Sequence, residues 1–255
     1  MYDAVGASDA DGVGSSVECA PFVDCPNGMG YPQIATRQLQ AQGFSVSLIN
    51  YGIPTATLGP TLQTLGNQLG RIILGNFLTN EMPFIRPNAT VVTVFAGGND
   101  VNTIVAALGA GLGGLDPVGY INQQVQTFKS DYSTLIAGIR SRAGGSVRIV
   151  VLNVPNLAKM PFLAGASLQQ QQAAQVASVQ MTTTVVNPLT SQNVIVIDMM
   201  CTDAFYNASN FSSDGFHPND AGYTLIANAV VRAITSSSNP TPAASCAAMT
   251  AVPNP

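Results

Sequence analysis

The sequence predicts an α/β fold: one parallel sheet with helices on both faces. Three observations carry that expectation. The runs Val91 to Ala96 and Val147 to Leu152 are continuously β-branched and apolar, as strands buried on both faces are. Helical stretches separate the strands along the whole chain. Finally, 255 residues suffice for one large α/β domain or two small ones, and neither an internal repeat nor an interdomain linker is visible. Residues 1–235 are therefore read as one domain and 236–255 as a Ser/Pro/Ala-rich tail.

In chain order, Tyr2 to Gly6 is a short strand that ends in Ala7-Ser8-Asp9-Ala10-Asp11-Gly12-Val13-Gly14. Small residues directly after a strand let the backbone turn sharply and approach a ligand. A loop then leads to a helix from about Pro32 to Ala41. Phe44 to Asn50 is the second strand, closed by Tyr51-Gly52-Ile53-Pro54. A helix from about Leu58 to Gly70 precedes an irregular apolar stretch that ends at Pro87-Asn88. The third strand, Val91 to Ala96, terminates in Gly97-Gly98-Asn99-Asp100, with a helix from Val101 to about Leu108 behind it. Pro117 opens a long amphipathic helix to about Arg142. Val147 to Leu152 is the fourth strand, and a polar helix from Ser167 to about Asn187 contains Gln169 to Gln172, read as a solvated face in preference to a lid. Val194 to Asp198 is the fifth strand, and a last helix spans about Asp220 to Ala233.

Composition narrows the classes of function. Hydrophobic residues make up 46% of the chain, enough for a sizeable core, while only 9% are charged, against about a quarter in ordinary globular proteins. Nine basic against thirteen acidic residues leave a net charge of −4 without a basic stripe, which argues against nucleic acid and anionic membranes as partners. No apolar run reaches membrane-spanning length. Cys19, Cys25, Cys201 and Cys246 lack the paired short spacings of a zinc site, and one histidine cannot complete a mixed one. An even count in a low-charge chain reads as two disulfides, Cys19–Cys25 closing a small loop and Cys201–Cys246 pinning the tail. That reading favours a secreted or cell-envelope protein. No leader is visible, since Met1 runs straight into a strand, so an exported protein would be represented here in its mature form.

His217 is the only histidine, and histidine is the side chain best suited to proton transfer near neutral pH. Asp214 stands three residues before it, where a turn can bring carboxylate and imidazole together. Ligands of parallel sheets sit beyond the carboxyl ends of the strands. Ser8, Gly52 and Asn99 each follow such an end, and the Asp214–His217 loop follows the fifth strand. A serine hydroxyl needs a base within hydrogen-bond reach, and His217, oriented by Asp214, can serve. The backbone N–H groups of Ser8 and Gly52 and the Asn99 amide are candidate oxyanion donors. Asn99 could equally cap the helix that follows it. Asp220 competes with Asp214, but its place in a first helical turn already explains it, and the same holds for Asp9 and Asp11.

Gly6-Ala7-Ser8, Asn50-Tyr51-Gly52, Gly97-Gly98-Asn99-Asp100 and Asp214-Gly215-Phe216-His217-Pro218 resemble, in order and across nearly the whole chain, the four blocks of the SGNH (GDSL-like) hydrolase superfamily. The resemblance implies a flavodoxin-like three-layer α/β/α sandwich with a five-stranded parallel sheet, esterase, lipase or acyl-transfer activity, and no cofactor or metal. It places the nucleophile on Ser8, the base on His217, the acid on Asp214 and the oxyanion hole on Ser8, Gly52 and Asn99. Ala7 stands where the family's usual Gly-Asp-Ser has aspartate, which opens the question of what organises the serine turn.

Two decoys fall away. Gly109 to Gly114 matches GxGxxG but follows a helix and opens none, so it is a loop. Neither Ser8 nor Ser167 sits in the Gly-x-Ser-x-Gly elbow of α/β-hydrolases. For the substrate, Met160 and Phe162 lie on the site's rim and, with Phe77, Met82 and Phe84, either line an acyl pocket or belong to the core. Phe216 either walls that pocket or anchors the catalytic loop. The expected protein is a monomeric serine esterase acting on short-acyl, lipid or sugar esters. The alternatives are a lipase, phospholipase or acyltransferase of the same family, a carbohydrate O-acetylesterase, and a catalytically silent binding module.

Overall fold

A computed structural model describes residues 1–255. Five strands, β1 (Tyr2–Gly6), β2 (Leu48–Asn50), β3 (Val91–Phe95), β4 (Arg148–Leu152) and β5 (Ile195–Ile197), form one all-parallel sheet in the order β2-β1-β3-β4-β5. The helices are α1 (Ser8–Asp11), α2 (Tyr31–Ala41), α3 (Pro60–Gln68), α4 (Phe77–Asn80), α5 (Gly98–Gly109), α6 (Pro117–Ala143), α7 (Leu168–Gln180) and α8 (Asp220–Thr235). Helices α2 and α8 pack together in one layer, and α5, α6 and α7 in the other. Strands buried on both faces need apolar side chains throughout, and β3 and β4 supply them: Val92, Val94, Ile149, Val150, Val151 and Leu152 are all buried. No helix is long and apolar enough to cross a membrane.

Strand order reverses between β1 and β3. At such a switch point the two following connections leave on opposite faces and open a crevice beyond the strand ends. The turn into α1 and the turn into α5 frame that crevice, and they carry Ser8 and Asn99.

The boundaries differ from the expected ones for local reasons. The second strand is three residues long rather than seven, because its only neighbour, β1, begins at Tyr2 and offers residues 44–46 nothing to pair with. Helix α5 begins at Gly98, three residues early. Gly97 makes this possible: its φ is +116°, and a Cβ there would lie 2.5 Å from a Val154 methyl. The polar helix keeps α-helical geometry only to Gln180. Met181–Val186 continues as a wider π-helical turn, and Asn187–Gln192 as a 3₁₀ turn. Threonine side chains compete with the backbone there: Thr183 and Thr184 hydroxyls bond back to carbonyls four residues earlier, and Thr182 donates to Val154 O at 2.7 Å.

Both disulfides form, Cys19–Cys25 and Cys201–Cys246. Beyond Cys246 the tail packs into the body. Ala248 is buried, its carbonyl accepts from Asn156 Nδ2, and Gln175 bonds both the N–H and the carbonyl of Val252. Gln172 holds Pro253 O in the same way. The glutamine-rich helix is thus a strap for the C-terminus, and the solvated-face reading holds only for its outer residues.

Arg86 fastens the start of the sheet. Its guanidinium pairs with Asp3, completely buried in β1, and donates to Tyr2 O and Ser47 O, while the Asp3 carboxylate also accepts from Arg86 N and Tyr51 Oη. Removing one partner of a buried pair leaves a charge in a poor solvent and costs about 3–5 kcal/mol. Arg86→Met is therefore expected to lower the unfolding free energy by about 3 kcal/mol, read from urea denaturation at neutral pH; a loss below about 1 kcal/mol would show the pair to be dispensable.

Candidate active site

Ser8 is the first residue of α1, separated from the end of β1 only by Ala7. The turn is tight because its neighbours are small. At Gly6 a Cβ would press on the Ala10 methyl at 2.9 Å, and at Gly52 a Cβ would meet Ala10 Cβ at 2.7 Å and Ala7 O at 2.8 Å. With Ala7 in place of an aspartate, other polar groups organise this turn. Gly6 N–H donates to the buried Glu81 carboxyl at 2.9 Å, and Asn50 Nδ2 donates to Asp11 Oδ1 and Ala10 O. Further along, Gly14 (φ +88°) lies flat against the Ser212–His217 loop, where a Cβ would be 2.9 Å from His217 Cβ.

That loop approaches from the far end of the chain. His217 Nε2 is 2.8 Å from Ser8 Oγ, and His217 Nδ1 is 2.6 Å from Asp214 Oδ2. Asp214 Oδ1 accepts from Ser212 Oγ, Phe216 N and His217 N, so one carboxylate both orients the ring and closes the loop around itself. Burial alone would raise its pKa. The bonds from the His217 ring, the two N–H groups and the Ser212 hydroxyl outweigh that and hold it at about 2. Ser212 N donates to His217 O, Phe162 N donates to Gly215 O, and Asn219 caps α8 immediately behind. Tyr223 in α8 then reaches back to Val13 O at 2.7 Å.

Chemically, the arrangement can move a proton from a hydroxyl to an imidazole whose other nitrogen is held by a carboxylate. Asn99 lies across the crevice. Its Nδ2 donates to Ala56 O at 3.0 Å, which fixes the amide and leaves a second hydrogen to offer. Gly52 is different from expectation. Its N–H points to Asn50 Oδ1 at 3.1 Å, so it can reach an oxyanion only by sharing that hydrogen. Its lack of a side chain is what the packing against Ala7 and Ala10 requires. No set of three His, Cys, Asp or Glu side chains comes together in a way that could hold a metal ion.

An apolar pocket of about 480 Å³, its open mouth included, adjoins the pair. Ala7, Asn99, Met160, Phe77, Phe95, Leu157, Phe205 and Phe216 are among its walls. Phe216 lines the pocket and also stands edge-on to the His217 ring at 5.0 Å. Phe162 does not line the pocket. It packs edge-on against Phe216 at 5.2 Å from outside and is nearly half exposed, and its backbone N–H is what grips the histidine loop. Met82 lies instead against Gly138 of α6, and Phe84 against Phe22 at the β2 edge. Asp9, set aside in the sequence as a first-turn acid, lines the pocket. Phe95 and Phe205 carried no sequence signal beyond hydrophobicity.

The model of the GDSL-like Lipase/Acylhydrolase family matches residues 4–225. Among solved structures, the chain is similar to the lipase Lip_vut3 from a goat rumen metagenome, with TM-score 0.59 and 19% identity over 91% of this chain and 96% of that one. An extracellular lipase from Streptomyces rimosus matches with TM-score 0.57 and 17% identity, covering 89% and 97%. A point mutant of Axe2, an acetyl xylan esterase from Geobacillus stearothermophilus, gives 0.54 and 16%, covering 92% and 94%. At these identities the likeness is one of fold. No curated protein matches the sequence.

Around the crevice the protein buries several carboxyl groups. Burial pushes Asp100 up to about 7 despite bonds from the Leu58 and Asp100 N–H groups, and pushes Asp11 up to about 8 despite Asn50. Glu81 is raised well above the usual carboxyl range by the same cause. An unfolded aspartate has a pKa of about 3.9. A carboxyl whose folded value is higher binds its proton more tightly when folded, so its stabilising contribution is complete below about pH 4 and is lost as pH rises through 7 and 8. Thermal unfolding midpoints are expected to fall between pH 5 and pH 9. Asp100→Asn, which keeps the acceptor for Leu58 N–H, should flatten that fall; an unchanged slope would place the titration elsewhere.

Proposed function

The chain belongs to the GDSL-like Lipase/Acylhydrolase family of carboxylic ester hydrolases, and from that premise we propose that it is a serine esterase acting through an acyl-enzyme on Ser8. The observation that carries this reading is the continuous hydrogen-bonded line from Asp214 through His217 to Ser8, with steps of 2.6 Å and 2.8 Å. His217 Nε2 takes the Ser8 proton as Oγ attacks the ester carbonyl, and Asp214 holds the ring with Nδ1 protonated and stabilises the imidazolium that results. The negative charge on the carbonyl oxygen is met by Ser8 N–H and the second Asn99 amide hydrogen, with Gly52 N–H as a shared third donor. His217 then returns the proton to the leaving alcohol, and water repeats the sequence on the acyl-enzyme.

Short acyl groups suit the aromatic-walled pocket best, because its volume of about 480 Å³ already includes the open mouth. Two disulfides and the low charge content support export. A single catalytic domain of residues 1–235 working as a monomer completes the proposal, since the crevice draws every named group from one chain.

Hydrolysis of p-nitrophenyl esters from acetate to palmitate tests the reading. Activity should be highest at acetate to butyrate. Ser8→Ala and His217→Ala should each abolish turnover with unchanged thermal unfolding; near-wild-type activity in either removes the mechanism. Losing an oxyanion donor costs on the order of 10²–10³ in kcat, so Asn99→Ala should fall in that range with little change in KM.

A further inference from the structure

The residue directly after the nucleophile is the one ionisable group on the pocket wall. Asp9 lines the pocket alongside Ala7, Asn99 and Phe216, where the remaining walls are apolar. No other residue donates a hydrogen bond to its carboxyl group; only its own N–H does. Nor is it explained as Asp11 is, which receives Asn50 Nδ2 at 2.7 Å and braces the turn. Helix α1, four residues long, offers little dipole to reward an acid. Asp9 is half-buried, and a carboxyl group without a side-chain partner on an otherwise apolar wall is free to accept a hydrogen bond from a bound ligand.

Which part of an ester enters this pocket follows from proton traffic. The leaving alcohol must face His217 to be protonated, and His217 is not part of the pocket wall, whereas Asn99 is. The pocket therefore takes the acyl side. We propose that Asp9 is a specificity residue that selects short acyl groups carrying a hydroxyl close to the ester carbonyl. A carboxyl group accepts from a hydroxyl when ionised and both donates and accepts when neutral, so the recognition holds in either state. Burial raises the Asp9 pKa, and the nearby His217 offsets part of that rise. The released product is a short hydroxy acid. This inference rests on the esterase reading above.

The test compares kcat/KM for p-nitrophenyl butyrate with the 2- and 3-hydroxybutyrates, in the native protein and in Asp9→Asn and Asp9→Leu. A second pair, propyl butyrate and glyceryl monobutyrate, moves the hydroxyl to the alcohol side. Sites built to bond a substrate hydroxyl discriminate strongly against analogues that lack it, whereas apolar pockets barely reject an added hydroxyl. The native protein should prefer a hydroxybutyrate over butyrate by at least about tenfold. Asp9→Leu should erase that preference while raising activity on plain butyrate. Asp9→Asn, nearly isosteric, should keep part of it. Ser8-dependent hydrolysis with the same preference in all three proteins would overturn the role of Asp9, as would a preference that follows the alcohol-side hydroxyl. Absence of any Ser8-dependent hydrolysis would instead overturn the esterase reading itself.

Discussion

Ser8 and His217 lie 209 positions apart in sequence, and the 2.8 Å contact between them is what the fold has to secure. Neither side chain can be placed alone. Ser8 is set by the end of β1 and by the small residues that let its turn settle against Gly52. His217 is set by a loop that Asp214 closes from inside, that Phe162 N–H holds from one side and that α8 supports from behind. Tyr223, which ties α8 to Val13 O, joins the two systems directly. A sheet whose order reverses at β1 and β3 provides the crevice in which they meet.

The interior behind this crevice is unusual in how much acid it holds. Asp3, Asp11, Glu81 and Asp100 are all essentially without solvent exposure. Only Asp3 has a cationic partner. The others hold backbone or amide N–H groups: Glu81 that of Gly6, Asp11 the Asn50 amide, Asp100 that of Leu58. Each therefore braces a loop that bears on the site, and each does so at the cost of a carboxyl group that prefers to stay protonated.

Much of this was legible in the sequence, and the reasons differ by residue. His217 was conspicuous because nothing else could serve as an imidazole base, and Asp214 followed from its spacing. Strands β3 and β4 announced themselves through unbroken apolar runs. The disulfide pairing followed from an even count and two separated pairs. What stayed hidden depends on contacts between distant segments. That β2 starts only at Leu48 is decided by where β1 begins. That Gly52 N–H points to Asn50 is a matter of side-chain rotation, which no spacing encodes. Phe162 and Met160, two residues apart, face opposite sides of one turn, so their common hydrophobicity could not separate wall from anchor. Asp9 was set aside because a first-turn acid is ordinary; only the pocket beside it makes it otherwise.

The buried carboxyls also change how the molecule meets its surroundings. A formal charge of −4 counts Asp11 and Glu81 as anions, yet burial raises both, Asp11 to about 8, so the net charge moves toward zero. Lys and Arg together number only nine. Encounter with an uncharged ester then proceeds with little long-range attraction or repulsion. Association should be set by diffusion and by the shape of the pocket mouth, and capture of substrate should be indifferent to the salinity of the medium in which the protein works.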